Sequence, residues 1–231
     1  MQTILAALLL LLAAMPSGAS ELTATEQRWL KGIWPVLTFA RDAKLPVDVV
    51  VQPQPTPGAP PLALAFIEGR CKVVLSMRGN PEAQATLDRL EPDLADATLA
   101  LMAAHELGHC RRYLDGAWYG LPAGFAARVP EALAPADHAA WLEMQATRRE
   151  EGFADLVGLA WTRQHHPQHY ARLHRWLMEE RANTEVAGSH HDTRAWVRLA
   201  VPGSWQALPS IFDSAAALWP AGLAAADHVA D

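Results

Sequence analysis

Ala103-Ala104-His105-Glu106-Leu107-Gly108-His109-Cys110 is the stretch on which the reading of this chain turns. It lies in an apolar, helix-favouring run, with Leu94, Leu99, Leu101 and Met102 before the first His and Leu114 after the second. On a helix, side chains four apart share a face, so His105 and His109 can offer two imidazoles to one metal ion. Glu106 is turned about 100° from His105 and can reach a water beside that ion. A buried helix carrying three such groups must give them partners, because burying them bare is costly. The H-E-x-x-H spacing therefore predicts a Zn2+ site with His105 and His109 as ligands and Glu106 as general base.

Such a site needs a third protein ligand and one open position. Glu151 is the candidate. It lies in Glu150-Glu151-Gly152-Phe153-Ala154-Asp155, inside a helix expected over 136–165. Glu151 and Asp155 are four apart, and Leu156, Val157, Leu159 and Trp161 beyond them are apolar, so two carboxylates enter a buried stretch and need a positive partner. Gly152 in a helix interior costs about 1 kcal/mol relative to Ala, which points to a closely approaching element. His165, His166, His169 and His174 are rival ligands in a polar stretch that reads as a solvated face. No His lies six residues beyond His109, so the longer H-E-x-x-H-x-x-G-x-x-H pattern is absent.

The two motifs together, His105-Glu106-Leu107-Gly108-His109 and Glu151-Gly152-Phe153-Ala154-Asp155, resemble the gluzincin metallopeptidases. Within them they are most similar to the branch of the CAAX prenyl protease and the HtpX heat-shock protease, whose second motif is E-x-x-A-D. The likeness spans roughly 94–199; the N-terminal third resembles nothing nameable. It implies a zincin-like fold, a zinc endopeptidase acting on polypeptides, Glu151 as third ligand, and Asp155 as the acceptor that orients a ligand imidazole. That branch often carries a downstream His-Pro segment with an Arg six residues after the His. Here Ser189-His190-His191-Asp192 stands in its place, without the Pro and with Trp196 where the Arg would fall; Arg194 or Arg198 are substitutes. By this resemblance His190 and His191 are candidates to stabilise an oxyanion; the alternative is a helix-capping segment with exposed His. Relatives of that branch are often multi-span membrane proteins, and this chain departs from them.

The 231 residues, 51% hydrophobic and 19% charged, suffice for one globular domain, expected over 20–231. A net charge of −6 without a basic stripe argues against a nucleic-acid partner. Residues 4–15 form an apolar run followed by Pro16-Ser17-Gly18-Ala19-Ser20, a signal-peptide pattern over 1–19 with cleavage after Ala19. It is short for a membrane span, so an uncleaved anchor is the lesser alternative and no span is expected in the mature chain. The chain reads as exported, periplasmic or secreted. Export favours pairing of Cys71 with Cys110, the only cysteines, which would pin the metal helix to a strand; two buried free thiols are the alternative. Two other functions suit the same residues: a non-catalytic zinc-stabilised envelope assembly protein, against which an intact Glu106 speaks, and a cell-wall peptide amidase.

The expected fold is α+β and mostly helical, with a small hairpin sheet beside the metal-binding helix. A helix over 22–43 opens on a Thr23/Glu26 capping box and is kinked or divided at Pro35. A strand over 47–51 leads into a Pro-rich loop over 52–61. Strands over 62–67 and 71–77 form a hairpin around Glu68-Gly69-Arg70. The strand over 71–77 is the candidate edge that would hold an extended substrate by backbone pairing. Helices follow over 81–90, from Pro92 through the motif to 114, from Pro167 to 181, up to 201 and over 209–219. The loop over 119–135 suits a rim or lid, and the Ala-rich tail gives no reading.

Overall fold

The computed structural model describes residues 21–53, 58–183 and 189–227. The expected leader over 1–19 and part of the Pro-rich loop lie outside them. Helix α1 (Ala24–Asp42) starts on the anticipated reciprocal cap: Glu26 N–H donates to Thr23 Oγ1 (3.2 Å) and Thr23 N–H donates to Glu26 Oε2 (2.7 Å). Arg78 closes on the same buried carboxylate at 2.9 Å and ties the helix to the sheet. Trp29, Ile33, Val36 and Ala40 form the inward stripe. Pro35 does not divide the helix. It and Lys31, whose carbonyl loses a partner, lie on the exposed face, where water can reach that oxygen.

Strands β1 (Val47–Pro53), β2 (Leu62–Ile67) and β3 (Arg70–Arg78) form one sheet in the order β1-β3-β2. β2 and β3 are antiparallel across a two-residue turn in which Glu68 (φ 52°) and Gly69 (φ 73°) both take left-handed backbone, the geometry that matches strand twist. β1 joins the other side of β3 in parallel. The strand over 71–77 is therefore central, not the edge expected for substrate; Cys71, Val73, Leu75 and Met77 all point into the core. The edge next to the motif helix is β2.

After α2 (Pro81–Arg89) and a turn over 92–94, α3 (Ala95–Leu114) carries the motif, starting a turn later than Pro92 suggested. It packs between α1 and the sheet on one side and α4 (His138–His165) on the other. α5 (Tyr170–Ala182), the short α6 (Arg194–Leu199) and α7 (Ile211–Asp227) back α4. α7 outruns the expected helix, because the Ala-rich segment continues it and buries Leu223. The Cys71–Cys110 disulfide is formed, with Cα atoms 5.7 Å apart, and fastens β3 to α3 at the residue after His109. The architecture is α+β, mostly helical, with the small sheet beside the motif helix. No helix among the described residues is long and apolar enough to cross a membrane.

Candidate metal centre

α3 and α4 lie so close that side-chain size sets their register. A Cβ added to Gly108, inside the motif, would sit 2.8 Å from the Ala154 Cα, so glycine there allows the two helices to touch. On the other flank of α4, a Cβ on Gly152 would meet the Trp196 ring at 2.4 Å, which is the close approach its position implied. This contact brings His105 and His109 opposite Glu151 and Asp155. His105 Nε2 and His109 Nε2 are 3.1 Å apart; Glu151 Oε2 is 3.4 Å from the first and Glu151 Oε1 3.3 Å from the second. Zinc bonds of about 2.0–2.1 Å to N and O imply tetrahedral edges of about 3.3–3.4 Å; the two His–Glu distances run to different Glu151 oxygens, and one donor atom from each of the three residues lies within 4.8 Å of the others, a grouping that could hold one cation. Among the described residues no other cluster of three or more His, Cys, Asp or Glu donors has this geometry.

Charge around the donors is arranged from behind. His105 Nδ1 donates to Asp155 Oδ1 (2.9 Å), so that in the neutral ring the Nε2 lone pair faces the cluster. Asp155 is fully buried, and it also accepts from Arg181 Nη2 (2.6 Å) and Nε (2.8 Å) and from the Thr193 hydroxyl. Burial alone would raise the Asp155 carboxyl, but Arg181 and His105 outweigh it and hold it well below the usual carboxylate range. Burial likewise works against a charged His105, yet its bonds to Asp155 and Glu151 lift it to about 10 when no cation competes. Glu151 is held well below its ordinary value by the two imidazoles, against the opposing effect of burial. Glu106 behaves differently. Burial raises it, the nearby imidazoles only partly offset that, and among the described residues no hydrogen bond or ion pair to it is seen. Such a carboxylate is a stronger base than an exposed one.

These groups open onto a cleft of about 520 Å³. Its floor is His105, Glu106, His109 and Glu151; Leu62, Ala63 and Leu64 of β2 form one wall and Trp176 and Leu177 of α5 another. His191 also lines it, whereas His190, its ring tilted against that of His191 at 4.1 Å, does not. Burial lowers His191 below the ordinary imidazole value, which keeps the ring neutral and able to donate. Neither proposed substitute Arg reaches the cleft: Arg194 is spent on Asp192 (2.7 and 3.0 Å), and Arg198 is not among the lining residues. None of residues 119–135 lines the cleft, whereas Trp118, just before them, is in its wall. The rival histidines lie elsewhere, His165 stacked on Trp161 (3.7 Å) and His174 Nε2 on the Val197 carbonyl (2.7 Å).

Three contributors escaped the sequence reading: Arg181, Thr193 and Trp118. For Arg181 a signal existed. It falls four residues after Leu177 and extends the Tyr170, Leu173, Leu177 stripe of α5, so an inward guanidinium was foreseeable opposite buried acids. Compared with known proteins, the chain matches no family model, no curated protein and no solved structure.

Proposed function

We propose that the chain is a zinc-dependent endopeptidase of gluzincin type, similar to the CAAX prenyl protease and HtpX branch and exported by its N-terminal segment. One observation carries the reading: one donor atom each from His105, His109 and Glu151 lies within 4.8 Å of the others, with the Glu106 carboxylate, unpartnered among the described residues, in the same cleft. When bound, zinc supplies Lewis acidity, lowering the pKa of water and polarising a carbonyl. Glu106 takes the proton of the attacking water and returns it to the leaving amine. Asp155, anchored by Arg181, keeps His105 in the tautomer that presents Nε2. The edge of β2 offers unpaired backbone groups along the cleft, suited to an extended polypeptide. His191, which lines the same cleft, would donate to the developing oxyanion, and His190 is assigned no contact with substrate. A purely structural zinc would have no use for Glu106 or for an open cleft beside it.

The test is the variant Glu106→Gln in the full chain, assayed on an unstructured protein. Zinc content is expected to stay at the wild-type level while hydrolysis falls about 10²–10⁴-fold, the usual worth of a general base. Wild-type turnover by a zinc-loaded Glu106→Gln protein would overturn the assignment.

A further inference from the structure

The two imidazoles of the cluster are not held alike. The far nitrogen of His105 has its carboxylate; the far nitrogen of His109, Nδ1, is buried and has no hydrogen-bond partner among the described residues. A ligating imidazole is ordinarily oriented by a bond at that atom, so something else must fix the His109 ring. Trp118 lies nearly perpendicular against it, with ring centroids 5.6 Å apart and planes at 71°. The indole is itself clamped. Tyr113 stacks on it at 4.0 Å and 10°, Tyr119 flanks it at 5.1 Å, and Phe66 of β2 extends the column beyond Tyr113 at 4.9 Å and 5°. One face of the indole is thus taken by Tyr113, and Tyr119 lies tilted against it. The segment that bears it is tied down twice: Tyr119 N–H donates to Glu150 Oε1 (2.9 Å), and Arg112 Nη2 donates to the Gly120 carbonyl (2.7 Å). Arg112 and Glu150 also pair with each other across α3 and α4, next in sequence to Glu151 and three residues past His109.

We infer that Trp118 is a positioning residue of the metal centre: held by the aromatic column, it fixes the plane of the His109 imidazole in place of the missing hydrogen bond and so sets the affinity for the cation. This rests on the metal reading proposed above. The experiment measures zinc affinity of the full-length protein by competition with a chromophoric chelator, and the visible absorption of the cobalt(II)-substituted protein as a signature of ligand geometry. Trp118→Ala and Trp118→Leu, the latter keeping bulk without a flat ring should the former fail to fold, are expected to bind zinc about tenfold or more weakly, as when an outer partner of a ligand is lost. Their cobalt spectra should change, which a merely structural role would not produce. Trp118→Phe, which restores a flat ring, should return close to wild type. Wild-type affinity and spectrum in the Ala and Leu variants would overturn the inference, as would a folded Phe variant as weak as they are. If the wild-type protein binds no zinc, the metal reading itself fails and this inference falls with it.

Discussion

His105 and His109 stand one helical turn apart, yet the halves of the cleft around them are fastened by different means. The His105 half is fastened by charge: Asp155 from α4, Arg181 from α5 and Thr193 ahead of α6 meet behind one imidazole. The His109 half is fastened by packing and covalency. Its aromatic neighbours Tyr113 and Trp118 come from within nine residues along the chain, and the disulfide at Cys110 locks the backbone to β3. The first half is the meeting of distant segments and depends on ionisation. The second pairs neighbours along the chain with a bridge to β3 and depends on oxidation. The same helix thus presents two imidazoles whose loss of support should have different causes and different signatures.

The largest effect is expected on the charged side. Asp155→Asn keeps the volume but leaves the Arg181 guanidinium facing an amide in a buried site, and thermal or denaturant unfolding should show a loss of about 3–5 kcal/mol at pH 7. The pH dependence has a definite sign. Because folding lowers the Asp155 pKa, its contribution is complete above the unfolded value of about 3.9 and is lost as pH falls through the lower folded one. The gap between wild type and Asp155→Asn should therefore be full at neutral pH and close only in strong acid. A constant gap down to low pH would break the contrast. The covalent side should show a smaller loss without that acid signature: the double variant Cys71→Ala/Cys110→Ala should cost about 2–4 kcal/mol, measured in the same way.

Much of this site was legible because it is written in helical spacing. The four-residue separations of His105 from His109 and of Glu151 from Asp155 place each pair on one face, and two polar faces in apolar helices call for each other. Gly152 signalled its close neighbour, and Thr23 with Glu26 marked the start of α1. What escaped depends on which elements meet in space. The hairpin was readable, but nothing in 62–67 or 71–77 says that β1 docks on β3, and that docking alone decides that β2 is the edge. The pairing of Cys71 and Cys110 was one of two open readings, since proximity is not written in a sequence. The last turns of α7 were hidden because a run of Ala carries no apolar periodicity. Trp118 lies in a loop, where no periodicity tells which way a side chain turns.

The central claim is that His105, His109 and Glu151 jointly hold one zinc ion. Its most direct test is calorimetric titration of zinc into the metal-stripped full chain at pH 7, in buffers of different ionisation enthalpy, beside Glu151→Ala. Since His105 is held near 10 without a cation, chiefly by its carboxylate partners against burial, it carries a proton at pH 7 that zinc must displace. The account predicts one zinc per wild-type chain, release of about one proton on binding, and weakening in Glu151→Ala beyond the roughly 100-fold that loss of an outer-shell partner can cost. Equal binding by the two proteins, or none by the wild type, would contradict it.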